Sequence, residues 1–203
     1  MYPETLDTSH RVIWSHPAHA RNTALVLILH DADSTPDTAA EHTFGHLPEN
    51  TTGLAIQAGH EATFGHSWFN SRQYANPNFP EIIAAAHRVF DAIDDDEYGT
   101  TGYTSIQVLG IGQGAALATT MLRVRPEAIT GVVGINGYII DNPMLAALDS
   151  PEATMTNTPV LWVVTGQPEP SADFARDWLT GHTRVIEAET PSAITPFLLQ
   201  NGS

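Results

Sequence analysis

Cysteine is absent from this 203-residue chain, and so is lysine: all eight basic residues are arginine. Without a thiol there is no disulfide, no thiolate metal ligand and no cysteine nucleophile, which fits a reducing compartment; cytoplasm is therefore the expected location. Without lysine no glycine-rich loop can complete a Walker phosphate site. Basic charge is scarce altogether, with eight arginines against 23 acidic residues and a formal net charge of −15. A basic patch able to neutralise phosphates is therefore not expected, and nucleic acid is excluded as a partner. The acidic excess reads as a solvated surface or, alternatively, as a docking face for a basic partner. Long apolar runs are missing too. The longest, Ala24 to Leu29, is far short of the roughly 20 residues that span a bilayer, and no basic-then-apolar leader precedes it, so neither a membrane span nor a signal is expected.

What is present is a series of short, branched apolar runs separated by helix-like segments. Strands are expected at Arg11–Trp14, Thr23–Leu29, Gly53–Gln57, Ile106–Gly110, Gly131–Ile135, Val160–Thr165 and Arg184–Glu187. Runs such as Ala24-Leu25-Val26-Leu27-Ile28-Leu29 alternate with nothing polar, as in strands buried on both faces. A helix is expected from about Asn78, a cap before Pro80 and Glu81, with Ile82, Ala86, Val89, Phe90 and Ile93 on one face. A second, small-residue helix should run from Gly114 to about Arg123, and others around Thr38–Gly45, Ala172–Thr180 and Thr195–Gln200. Pro151–Pro159 reads as a loop, and Asp94-Asp95-Asp96-Glu97 as a polar turn after a helix. Alternation of this kind predicts one α/β domain over residues 1–203, a mostly parallel twisted sheet with helices on both faces and its site at the carboxyl ends of the strands.

The segment richest in chemistry is Val108-Leu109-Gly110-Ile111-Gly112-Gln113-Gly114-Ala115-Ala116-Leu117, where a buried strand runs into a small-residue helix through three alternating glycines. That is the layout of a nucleophile elbow, Gly-x-Ser-x-Gly, with glycine at its centre. Gly112 can keep the strained turn at little cost, but it brings no hydroxyl, so no acyl-enzyme can form there. A phosphate loop is the competing reading; the absence of lysine and of dinucleotide spacing argues against it.

Around this elbow the chain resembles the phospholipase/carboxylesterase family, the acyl-protein-thioesterase-like branch of the α/β-hydrolases. Leu27-Ile28-Leu29-His30 resembles the family's strand ending in His-Gly, Ser67-Trp68-Phe69-Asn70 its Trp-Phe segment, and Gly110–Leu117 its Gly-Phe-Ser-Gln-Gly elbow. Asn136-Gly137-Tyr138 resembles its Ser-Gly-Tyr turn, and Pro159–Thr165 with Gly166-Gln167-Pro168-Glu169-Pro170 its strand and acid-bearing loop. The resemblance implies an α/β-hydrolase fold. It places Gly112 at the nucleophile position, Glu169 at the acid position and Ser192, in Ser192-Ala193-Ile194-Thr195-Pro196, at the histidine position. It also implies that the backbone amides of Ala32 and Gln113 form the oxyanion hole, in a loop where Asp31 replaces the family's glycine.

Other residues offer themselves as replacements. His30, at a strand end and paired with Glu169, is an alternative base able to activate water. Ser67 lacks an elbow to expose it. Trp68 and Phe69 are packing residues first and walls of a ligand pocket second. Ten histidines, among them His42 and His46 at i, i+4, match no zinc spacing, so no metal and no cofactor are expected. The leading expectation is a catalytically impaired hydrolase homologue that binds a small acyl- or ester-like ligand or a protein partner. The alternative is an active carboxylic ester or thioester hydrolase with an unconventional site. An assembly subunit using its acidic surface is a third reading, and oligomeric state is not legible.

Overall fold

The computed structural model describes residues 11–16, 24–70, 78–95, 100–149, 157–166 and 172–202. Seven strands form one sheet: β1 (Val12–Trp14), β2 (Ala24–Leu29), β3 (Thr51–Ile56), β6 (Ser105–Ile111), β7 (Gly131–Ile135), β8 (Pro159–Val163) and β9 (Arg184–Ala188). Two shorter strands, β4 (His60–Glu61) and β5 (His66–Ser67), make a separate hairpin. The order across the large sheet is β1-β3-β2-β6-β7-β8-β9, with β1 antiparallel and every other neighbouring pair parallel. All seven expected strands are found, with ends shifted by a residue or two.

The period of two in each buried strand sorts its side chains onto two helical layers. From β2, Leu25, Leu27 and Leu29 face a layer that includes α2 (Phe79–Asp94), α3 (Gln113–Val124) and α5 (Ala172–His182). Val26 and Ile28 face the other layer, with Ala39 and Ala40 of α1 (Pro36–Thr43) and Ile194, Phe197 and Leu198 of α6 (Ile194–Asn201). Each such leucine, removed wholly from water, contributes about 1.5–3 kcal/mol before conformational entropy is counted. The run was therefore continuous in apolarity because both sides of the strand are covered.

Two expected details differ. Asn78 stands at the N-cap of α2 without capping it; its Nδ2 donates 3.0 Å to Glu81 Oε1, leaving the helix entry to Pro80. The helix expected at Thr38–Gly45 starts at Pro36, capped by Thr35 Oγ1 accepting from the Thr38 amide at 3.2 Å, and ends at Thr43. A 3-10 turn, Phe44–His46, follows it, so His42 and His46 do not share one α-helical face. The Pro151–Pro159 loop lies mostly outside the described residues, as do Asp96 and Glu97. A short α4 (Pro143–Ala146), capped by Asn142, was not expected.

The chain passes from β2 to β3 on one side and returns to β6 on the other, so the order reverses between β2 and β6. Crevices at such reversals, outside the carboxyl ends of the strands, are where α/β sheets place their sites.

Candidate functional site

Gly112 links β6 directly to α3 with φ 52° and ψ −112°, the left-handed turn that the glycine spacing implied. Its neighbours are glycines for a steric reason. A Cβ on Gly110 would run into the backbone of Gly114 and Ala115, and one on Gly114 into the carbonyls of Leu29 and His30. Strand and helix therefore meet at backbone distance. The Gly112 amide donates 2.9 Å to Ile135 O, which ties the elbow to the end of β7.

Asp31 follows β2 and reaches across the crevice to this elbow. Its Oδ1 accepts from the amide of Ala32 at 2.7 Å and from the amide of Gln113 at 2.7 Å. These are the two amides that sequence resemblance assigns to an oxyanion hole, and both are taken by one carboxylate oxygen. The same carboxylate stands where a side chain on residue 112 would begin: a Cβ there would lie closer than 3.0 Å to Asp31 Oδ1, Cγ and Oδ2. One donor, the Gln113 amide, opens α3 and the other, the Ala32 amide, lies in the loop after β2; the helix N-terminus favours the negative charge. The sequence marked Asp31 as an awkward replacement in the loop; the structure makes it the occupant of the site.

His30 is wholly buried beneath this loop. Its Nε2 accepts from the Ala58 amide at 3.0 Å, which requires the proton on Nδ1, and Nδ1 donates 2.7 Å to Asp31 O. Burial first, and the nearby His66 to a smaller degree, push its pKa below the ordinary histidine value, against the opposing pull of its bond to Asp31 O and of the Asp31 charge. With both ring nitrogens engaged, His30 has no lone pair free to take a proton from water. Both ring nitrogens of the residue read as an alternative base are thus engaged by backbone groups.

Gln113 does more than supply an amide. Its side chain accepts from Trp68 N at 2.7 Å and donates to Phe69 O at 2.8 Å, extending a peptide-like pair of bonds to the Trp-Phe segment. Trp68 Nε1 donates 2.8 Å to His30 O. Trp68 and Phe69 are 2% and 1% exposed, packed in the core beneath the site. Ser67 Oγ accepts from the Asp33 amide at 3.0 Å. Asp33, at φ 54°, accepts from the amides of Phe64 and Gly65 at 2.7 and 3.1 Å, and Ser34 pairs with His66 through both backbone bonds. The loop that presents Asp31 is thereby stitched to the β4–β5 hairpin, a connection not legible from residue pattern alone.

Ser192 lies exposed in a 3-10 turn after β9, its hydroxyl 2.7 Å from Thr190 Oγ1. Glu169 lies outside the described residues. At the ends of β7 and β8, Asn136 (φ 47°) exchanges bonds with Thr165, accepting from its amide at 2.8 Å and donating to Oγ1 at 2.7 Å. Beside them opens a cleft of about 990 Å³ whose lining includes Trp162, Arg176, Glu187 and Glu189. Arg176 is paired there with Glu187 at 3.2 Å. Burial, and then the charge of Asp31, raise the pKa of Tyr138. Among the described residues no group of three or more His, Cys, Asp or Glu side chains is placed to hold a metal ion, and no helix is long and apolar enough to cross a membrane.

No protein-family model matches the sequence, and no curated protein matches it. Solved structures do. A carboxylesterase from Mesorhizobium loti superposes with a TM-score of 0.72 at 13% identity, covering 94% of this chain and 93% of that one. A phospholipase/carboxylesterase from Dyadobacter fermentans gives 0.67 at 20% identity, over 89% and 86%. Zea mays acyl-protein thioesterase 2 gives 0.70 at 13% identity, over 95% and 99%. The chain has the α/β-hydrolase fold, in the form these carboxylesterase- and thioesterase-type structures share.

Proposed function

We propose that this chain is a hydrolase-fold protein that has left the serine acyl-enzyme route and serves as a ligand-binding or protein-interaction module. The observation that carries the reading is Gly112. The elbow keeps its backbone shape, φ 52° included, while the atom that would attack a carbonyl is missing. Ser192, where resemblance places the histidine, bonds Thr190 and offers no imidazole. Fold alone does not assign activity, so the missing groups weigh more than the architecture. A single-domain location in the cytoplasm and a small acyl- or ester-like ligand, or a protein partner, belong to the same proposal.

A second reading is favoured by the solved structures named above, which are carboxylesterases and a thioesterase. In that reading the chain hydrolyses carboxylic esters or thioesters through an unconventional site. His30 is engaged on both nitrogens, so the carboxylate of Asp31 is the base the described residues offer at the elbow. Labelling with a fluorophosphonate probe separates the readings from a serine enzyme. No adduct forms on the native protein if Gly112 means what we propose; a labelled serine identified by peptide mass spectrometry overturns it. Thioester turnover without labelling, lost in Asp31→Asn, establishes the second reading.

A further inference from the structure

We propose that the end of the sheet opposite the elbow carries a socket for one apolar side chain of a basic peptide segment on a partner protein. The inference deepens the interaction-module reading and rests on it. A cavity of about 140 Å³ opens between the last turns of α2 and α3, beside Ile106, the second residue of β6, whereas the elbow follows Ile111, its last. Its floor is Leu27, Phe90, Met121 and Ile129, all buried in one core cluster, so the sheet and both helices hold the apolar surface in place. Volume decides the class of occupant. Clefts for drug-sized ligands run to about 300–1,000 Å³, at least twice this one, while a single leucine- or methionine-sized group fits. Small apolar pockets with a polar rim are where a partner's anchor side chain seats.

The mouth fixes the charge of the segment around that anchor. Arg125 forms one wall: its Nη1 donates 2.6 Å to Asp94 Oδ2, its Nε lies 3.9 Å from Glu127 Oε1, and its guanidinium sits 4.7 Å over the Phe90 ring. Its hydrogen bond to Asp94, and the charges of Asp94, Glu127 and Asp91, raise its pKa against the opposing effect of burial. Three carboxylates thus stand against one guanidinium, and both Asp94 and Glu127 are exposed. The surplus favours basic residues beside the anchor, and the net charge of −15 on the chain steers such a segment toward it.

The test is a titration of protein carrying ¹³C-methyl methionine with the peptide acetyl-Arg-Leu-Arg-amide, reading the Met121 methyl signal. The controls are acetyl-Arg-Ser-Arg-amide and acetyl-Glu-Leu-Glu-amide. In the native protein the Met121 signal moves saturably with the first peptide, and the signal of Met144, exposed on α4, stays still. Each control binds at least about fivefold more weakly, because one lacks the apolar anchor and the other the positive charge. Ala128 borders the socket and is half-buried, so Ala128→Leu fills the mouth and removes the response. Should that variant fail to fold, the pair Asp94→Asn and Glu127→Gln decides, weakening the peptide about tenfold at low salt. A native Met121 signal that ignores the peptide overturns the proposal, and so does a serine peptide that binds as well as the leucine one. Folded variants that bind as tightly as the native chain overturn it too. Ester turnover at the elbow ends the non-catalytic reading and leaves this titration standing, so the two failures are distinguishable.

Discussion

The carboxylate of Asp31 and the missing side chain of Gly112 occupy one volume: a Cβ on residue 112 would fall inside contact distance of three Asp31 atoms. Restoring serine at the elbow therefore meets two obstacles. The left-handed φ costs a non-glycine residue about 1–3 kcal/mol, and overpacking against Asp31 adds ~1–3 kcal/mol. Only the second is relieved when Asp31 is removed. Urea denaturation of Gly112→Ser, Asp31→Gly and the pair should give a coupling of about 1–3 kcal/mol in favour of the double variant. Additive effects would mean that the two residues do not share the space.

Gly114, beside the elbow, and Gly45, in the 3-10 turn, stand in opposite surroundings. Gly114→Ala drives a methyl into the carbonyls of Leu29 and His30, backbone that cannot yield without separating α3 from β2, and should cost about 3 kcal/mol or more. Gly45 has nothing within 4 Å of its added Cβ, so Gly45→Ala should stay within about 0.5 kcal/mol of the native chain. Thermal melts of the two variants check the ranking; equal effects contradict the packing described.

Gln113→Leu should uncouple the Trp-Phe segment from the elbow. It strands the Trp68 amide and the Phe69 carbonyl, each a buried group whose unmet bond costs about 1–3 kcal/mol. Hydrogen exchange at Trp68 should quicken at least tenfold, while the Gln113 amide stays protected on Asp31. Unchanged exchange at Trp68 would show that the side chain is not what holds the segment.

His30 predicts a pH dependence. Its folded pKa lies below the ordinary value of 6.5 because burial opposes the charged ring. The unfolded chain therefore binds more protons than the folded one as pH falls below about 6.5, and stability is lost from there downward through the folded pKa. Above about 6.5 the contribution is complete and flat. His30→Gln should lower stability at neutral pH and flatten the slope between neutrality and mild acid. A slope identical to the native chain would place its origin elsewhere, in the other histidines or the carboxylates.

How much of this was legible in the sequence divides along physical lines. The central strands were readable because burial on both faces removes polar residues from runs such as Ala24–Leu29, and the elbow because close backbone approach leaves glycine as the residue that fits at 110 and 114. The β4–β5 hairpin was not readable: its strands are two residues each, polar, and held by bonds to Asp33 and Ser34 from another loop. His30 could be placed at a strand end, but which atoms its ring would bond depends on Ala58, which arrives from the end of β3. Asp31 left a signal that can be read in hindsight. The loop gained a carboxylate where the resembled family has glycine, and the elbow gained glycine where that family has serine, an exchange of volume between two positions that only the fold brings together. The buried pair of Arg123, on α3, and Asp149, 3.1 Å apart, left no such signal.

The central claim is that the elbow performs no serine chemistry because residue 112 is glycine and Asp31 fills the space a side chain there would take. Its most direct test is hydrolysis of p-nitrophenyl acetate and butyrate by the native protein beside Asp31→Asn and Gly112→Ala, at matched concentration and against a buffer blank. The account predicts no saturable turnover by any of the three. Saturable turnover by the native chain that disappears in Asp31→Asn would contradict it and make Asp31 a catalytic residue in place of an occupant.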